Sequence, residues 1–188
     1  MTTTSENVDA GQNAVSHQAD SVKRSCLVWG WLSLLVIVLD LGSKQLAVAN
    51  ISYAETIPLL PFFDLTLLHN TGAAFSFLAN AGGWQRWAFA LIAMVVSVVL
   101  VIWMQRTERR YWWLGLALSM VLGGALGNLY DRVVLGYVID FISLHYNGYY
   151  FPAFNLADSA ITLGAIILIF DMLFLEAKRK TSEEMSNE

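Results

Sequence analysis

The chain has 188 residues, of which 56% are hydrophobic and 14% charged, where a soluble domain carries roughly 25% charged residues. So few charges cannot cover the outside of a water-soluble fold this apolar, and a formal net charge of -4 offers no basic stripe for a phosphate backbone, which excludes nucleic-acid binding. The single Cys26 excludes an intrachain disulfide or a CxxC metal or redox motif, and His17, His69 and His145 lack metal-ligand spacing, so neither a metal nor a cofactor is expected.

Residues 1–25 are rich in Ser, Thr, Asn, Gln and Asp and read as a disordered cytoplasmic tail. Residues 26–39 are free of charge and, with the less apolar turn through Ala49, reach the roughly 20 residues that cross a bilayer. A cleaved signal peptide is the other reading of this run, but the polar leader before it and the lack of an A-x-A-like site after it argue against cleavage. The stretch 57–68, IPLLPFFDLTLL, combines two prolines with strand-favouring aromatics and is one of two outer stretches that predict short strands lying on the membrane surface. Residues 87–104 hold no charge and predict a second spanning helix, since in lipid every backbone group must be satisfied internally. Residues 111–129 predict a third, with Gly115, Gly123, Gly124 and Gly127 as small positions that let another backbone approach. The aromatic-rich stretch 146–151 is the other, and 154–175 predicts the fourth span, with Asp158 near its start and Asp171 near its end. One four-span domain over 26–177 follows, with a cytoplasmic tail at 178–188 and no internal repeat of the kind inverted-repeat transporters carry.

Orientation follows from Lys and Arg. Lys23 and Arg24 precede span one, Arg106, Arg109 and Arg110 join spans two and three, and Lys178, Arg179 and Lys180 follow span four, so all eight fall on one side. The positive-inside rule makes that side the cytoplasm, with both termini in it and residues 50–85 and 130–153 on the outer face. Trp84, Trp87, Trp112, Trp113, Tyr149 and Tyr150 fall near the interfaces and read as anchors. Cys26, at the cytoplasmic end of span one, reads as a small packing residue.

Ionisable groups at membrane depth cost on the order of 2.5 to 3.5 kcal/mol each, so each needs a reason. Asp40 and Lys44, at i and i+4, can meet on one helix face as a self-neutralising pair or orient a neighbouring site. Asn128 and Asp131 stand at i and i+3, and the adjacent Arg132 is the expected countercharge of Asp131. Asp140, in GYVIDFI, and Asp158, in FNLADSA, have no cation nearby in sequence. If the chain returns so that they lie side by side, repulsion leaves one proton between them, and the pair can activate water as aspartic proteases do. Hydrogen-bonded structural aspartates, or an ion or proton path, are the alternatives.

Five motifs occur in order: Asp40-Leu-Gly-Ser-Lys44, His69-Asn70-Thr-Gly72-Ala-Ala-Phe75-Ser, Gly123-Gly-Ala-Leu-Gly-Asn128-Leu-Tyr-Asp131-Arg132, Gly136-Tyr-Val-Ile-Asp140-Phe141 and Phe154-Asn155-Leu-Ala157-Asp158-Ser159. With them the chain resembles bacterial lipoprotein signal peptidase, or signal peptidase II, over roughly residues 28–174. The resemblance implies an all-α membrane protein of four transmembrane helices with a small extracytoplasmic β-cradle and a short surface helix, fitting residues 57–68 and 72–79. It implies an intramembrane aspartyl endopeptidase of the bacterial inner membrane that works as a monomer. That enzyme would cut diacylglyceryl-modified prolipoproteins just before the lipidated cysteine, with membrane lipid around it and globomycin as an inhibitor. It places the catalytic aspartates at Asp140 and Asp158, and site-supporting or substrate-binding roles at Asp40, Lys44, Asn70, Gly72, Asn128, Asp131, Arg132, Asn155 and Ala157. The polar N-terminal tail is longer than the family needs and has no assigned role.

Two other functions compete. A small proton or ion path would use the carboxylates as a relay, but Asp40, Asp131, Asp140 and Asp158 all map to outer span ends, leaving the middles of spans two and four without one. A structural or lipid-binding subunit would suit the glycines of span three but predicts no paired orphan aspartates.

Overall fold

The computed structural model describes residues 25–72 and 83–175. A single 3-10 turn, Cys26–Trp29, leads into helix α1 (Gly30–Asn50). Strands β1 (Thr56–Leu60) and β2 (Phe63–Asn70) follow, then helices α2 (Trp84–Arg106) and α3 (Trp112–Val134). Strands β3 (Val138–Tyr146) and β4 (Tyr149–Tyr150) precede helix α4 (Leu156–Phe170), which ends in a π-helical turn, Asp171–Leu175. Among the described residues, four helical segments are long and apolar enough to cross a membrane: Cys26–Asn50, Trp84–Arg106, Trp112–Val134 and Leu156–Leu175. Each expected span is present, with ends displaced by a few residues. The expected surface helix over 72–79 lies, but for Gly72, outside the described residues, as do residues 1–24 and 176–188 of the expected tails.

Helix α3 is the centre of the bundle, packing against α1, α2 and α4. Its small residues explain why. A Cβ at Gly123 would sit 2.8 Å from the Ser33 carbonyl oxygen of α1, and one at Gly127 would sit 2.6 Å from Asp40 Oδ2. Only hydrogen at these positions lets α1 approach closely enough for its charged groups to meet those of α3. Around this centre, Leu34, Val38, Leu91, Val95, Leu163 and Ile166 are exposed, which suits side chains facing lipid.

The strands form one antiparallel sheet in the order β1-β2-β3-β4. The expected short strands are present: the 57–68 stretch forms a hairpin of β1 and β2 that turns at Pro61 and Phe62, and 146–151 holds the end of β3, a turn and β4. Asn147 and Gly148 have φ of 49° and 83°, the left-handed pair that closes a two-residue turn matching strand twist. That turn joins β4 to β3, so Asp140 lies inside a strand, opposite Leu68 of β2.

The N-terminal approach to α1 and the α2–α3 connection share one end of the bundle, because Ser25 bridges to Glu108 and the Cys26 thiol, fully buried as a packing residue, donates to the Glu108 carbonyl at 3.2 Å. The sheet sits at the other end. The three cations near that end are committed internally. Lys44 is ion-paired, Arg86 donates to the Arg132 and Val133 carbonyls at 2.6 and 2.7 Å, and Arg132 donates to the Asn128 and Gly72 carbonyls.

Candidate active site

Helix α4 begins where the sheet ends, and its cap builds the site. Asn155 is the N-cap: its Oδ1 accepts the Asp158 N–H at 2.9 Å, while the Asn155 N–H donates back to Asp158 Oδ2 at 3.3 Å. This reciprocal capping satisfies two orphan amides of the first turn and fixes the Asp158 carboxylate at the helix start. The same Asn155 side chain, fully buried, donates through Nδ2 to Asp140 Oδ1 at 2.8 Å. One amide therefore touches both aspartates from the sequence's two unpartnered motifs, and the strand-to-helix return brings them to one site.

Each aspartate has further donors. Asn70, the last residue of β2, donates through Nδ2 to Asp140 Oδ2 at 2.9 Å, and its side-chain Oδ1 accepts the Gly72 N–H at 3.0 Å. Asn128 of α3 donates to Asp158 Oδ1 at 2.7 Å. Burial, and after it the charge of Asp158, push the Asp140 carboxyl up to about 7, against the Asn70 and Asn155 donors and the Lys44 ammonium, which pull it down. His69, beside Asn70, lies between the rings of Tyr53 and Tyr137 at 4.7 and 3.9 Å, and burial holds its imidazole below the ordinary value.

Below the aspartates lies a buried ion cluster. Lys44 Nζ meets Asp40 Oδ2 at 2.7 Å and Asp131 Oδ2 at 2.8 Å, and donates to Asn128 Oδ1 at 3.1 Å. The i, i+4 pair expected from the sequence is present. The expected Asp131–Arg132 pair is not: Asp131 uses Lys44, because successive helix residues point about 100° apart and Arg132 faces a different neighbour. Arg132 instead donates to the Asn128 and Gly72 carbonyls at 3.2 and 3.3 Å and lies over the Phe89 ring at 5.4 Å. Ala157, also singled out in the sequence, contributes its backbone N–H to Asp40 Oδ1 at 2.9 Å, and its methyl is wholly buried.

Two cavities flank the pair. One, of about 610 Å³, reaches Asp158, Asn128 and Arg132 and is walled by apolar Leu144, Phe154, Ile161 and Leu163. The other, of about 690 Å³, reaches Asp140 and is lined by Thr56, Thr66, His69 and Ser143. Asn70, Phe151, Pro152 and Ala153 line both. The 151–153 segment had no signal in the sequence beyond its aromatic composition. Among the described residues no group of three or more His, Cys, Asp or Glu side chains is arranged to hold a metal ion. The two carboxylates thus share the Asn155 contact, with one mainly apolar and one more polar approach.

Known proteins resemble this chain throughout the domain. The sequence profile of the family described as signal peptidase (SPase) II matches residues 32–174. A protein named lipoprotein signal peptidase from Pseudomonas aeruginosa (strain UCBPP-PA14) is 59% identical over 148 residues, covering 78% of this chain and 88% of its own. One of the same name from Acinetobacter baumannii (strain ATCC 17978) is 52% identical over 158 residues, covering 84% of this chain and 90% of its own. Among solved structures, a bacterial membrane enzyme determined by the in meso method at 2.3 Å resolution superposes with a TM-score of 0.70 at 30% identity, over 78% of this chain and 87% of that one.

Proposed function

The chain belongs to the signal peptidase II family, and from that premise we propose that it is an aspartyl endopeptidase of the bacterial inner membrane that removes signal peptides from diacylglyceryl-modified prolipoproteins. The observation that carries the chemistry is the Asn155 amide holding Asp140 while its carbonyl caps the helix start that carries Asp158. Two carboxylates at one buried site keep a single proton. The ionised member takes a proton from water as it attacks the scissile carbonyl, and the protonated member gives its proton to the forming oxyanion or the leaving amine. Asn70, Asn128 and Asn155 hold the two carboxylates in place through that exchange.

The lipid requirement follows from where the site lies. A diacylated substrate is held in the bilayer by its acyl chains, and the apolar cavity on the Asp158 side is lined by Leu163, itself exposed on the lipid-facing surface. A scissile bond next to the lipidated cysteine then reaches the pair at the outer interface. Comparing a diacylated precursor with its unmodified form on the purified protein tests this: cleavage of the modified form alone is expected, and equal cleavage of both would contradict the proposal. Globomycin, as the family's inhibitor, should block that cleavage.

The pH dependence follows from Asp140. Its carboxyl titrates near 7 in the folded protein, well above the roughly 3.9 of an exposed aspartate, so the proton that the reaction needs leaves the site as pH rises through that region. The cleavage rate should fall on the alkaline side with an apparent pKa near 7 belonging to the pair. The sign for stability is the same. A raised carboxyl favours the folded state below its folded value, and that contribution diminishes as pH rises from about 4 to 7. A rate that rose steadily past pH 8 would contradict the shared proton.

Topology is tested separately. With Cys26 replaced, a cysteine introduced at Thr56 should react with impermeant thiol reagents in intact cells, while one at Ser5 or Ser186 should not. The reverse pattern would place the aspartates on the cytoplasmic face.

A further inference from the structure

Asn70 donates to Asp140, yet the sheet gives it little support: it is the last paired residue of β2, opposite Val138, and past it the chain leaves the strand. The residue before it is gripped instead. The His69 ring is stacked on Tyr137 at 3.9 Å with 20° between the planes, and it also touches Tyr53 at 4.7 Å. Across the β2–β3 ladder Asn70 and Asp140 are diagonal neighbours, as are His69 and Tyr137 one residue away, so the amide–carboxylate pair and the ring pair occupy opposite faces of one strand end. We propose that His69, held by Tyr53 and Tyr137, is a positioning residue that fixes the end of β2 so that Asn70 stays hydrogen-bonded to Asp140. The proposal rests on the reading of Asp140 and Asp158 as the catalytic pair.

Both tyrosines are themselves anchored. Tyr137 packs against the buried cluster of Ala47, Ile51, Leu67, Ile139 and Phe141, which joins the end of α1 to the sheet. Tyr53 lies in the turn between α1 and β1, where Ala54 has a φ of 62°, a left-handed conformation that side chains other than glycine adopt at a cost. Three hydrogen bonds hold that turn: the Ser52 N–H donates to Glu55 Oε2 at 2.7 Å, the Ala54 N–H to the Leu67 carbonyl at 2.8 Å, and the Thr66 hydroxyl to the Glu55 carbonyl at 2.9 Å. Strain maintained in this way concentrates where geometry matters, and here it lays Tyr53 against His69. Burial keeps the imidazole below its ordinary value, so the ring stacks in its neutral form and brings no cation next to Asn70. The charges that act on Asp140 come from other elements: Asp158 of α4 raises its carboxyl, Lys44 of α1 lowers it, and Arg132 of α3 interacts with both aspartates. A change at His69 therefore reaches Asp140 through the Asn70 donor, not through charge.

The test is the pH profile of cleavage by the purified full chain on a diacylated precursor peptide. His69→Ala removes the ring that both tyrosines hold, so kcat should fall about tenfold or more while KM changes less. Because the Asn70 donor lowers the Asp140 carboxyl, loosening it should also move the alkaline limb up by about half a pH unit or more. His69→Phe keeps a ring against both tyrosines and should recover most of the rate and bring the limb back toward its wild-type position. Asn70→Ala should move the limb up as well, and adding His69→Ala to it should move the limb no further, since the two act through one hydrogen bond. An unmoved limb in folded His69→Ala, or a second movement in the double variant, would overturn the inference while leaving the catalytic pair intact. So would His69→Phe as impaired as His69→Ala, which would assign the effect to the ring nitrogens. If His69→Ala does not fold, Tyr53→Ala decides: Tyr53 is 64% exposed, so its loss opens no core, and it should move the limb in the same direction, whereas a wild-type limb would overturn the inference. Wild-type cleavage by Asp140→Asn, run alongside, would overturn the pair itself and the inference with it.

Discussion

Asparagine at Asp140 or at Asp158 should abolish cleavage of a diacylated precursor, a loss of about three orders of magnitude or more, without lowering the amount of protein recovered from membranes. The substitution keeps size, and its amide oxygen can keep one of the two accepted hydrogen bonds at each position, while its NH2 group cannot accept the other. What it removes is the carboxylate, either as the base that takes the water proton or as the acid that returns it. The double variant should be little worse than either single one, because residues acting as a unit do not lose their effects additively. A single-turnover assay on the three purified variants checks this, and near-normal activity in either single variant, or multiplying losses in the double, would contradict a shared reaction.

The largest expected effect on stability is at Lys44. Lys44→Met leaves Asp40 and Asp131 facing each other in a site from which water is excluded, and breaking a buried pair by removing one partner costs about 3 to 5 kcal/mol. The loss should appear as a lower Tm in detergent, and Lys44→Arg should recover only part of it, since the guanidinium fork does not fit the point-charge site that the close approach of Gly127 to Asp40 leaves. Arg132→Ala is the comparison. It removes donors to two backbone carbonyls rather than the cation of Asp131, so its loss should be clearly smaller. An Arg132→Ala protein less stable than Lys44→Met would contradict the pairing described here.

That comparison also marks what the sequence could and could not show. The Asp40–Lys44 contact was legible because i, i+4 spacing is a local property of a helix. The partner of Asp131 was not, because it depends on α1 packing onto the glycine face of α3. Nearness in sequence pointed to Arg132, which the helix turns away from Asp131. The spans were legible from long uncharged runs. The sheet was less so: 138–142 is a short stretch, apolar but for Asp140, that periodicity alone cannot assign to strand or helix, and the Asn147-Gly148 turn shows its role only once its strands are paired. The motifs picked out polar residues that the fold brings together, but not that Asn155 would contact both aspartates, which needs the cap of α4 to sit against β3.

The most direct measurement is one turnover of a diacylated precursor by the purified protein, followed by mass spectrometry of both products and of the enzyme. The predicted result is a new N-terminus at the lipidated cysteine, a released signal peptide with a free carboxylate, and an enzyme of unchanged mass throughout, as water activated by Asp140 and Asp158 requires. A covalent adduct on the enzyme, cleavage at another bond, or an intact precursor would contradict it.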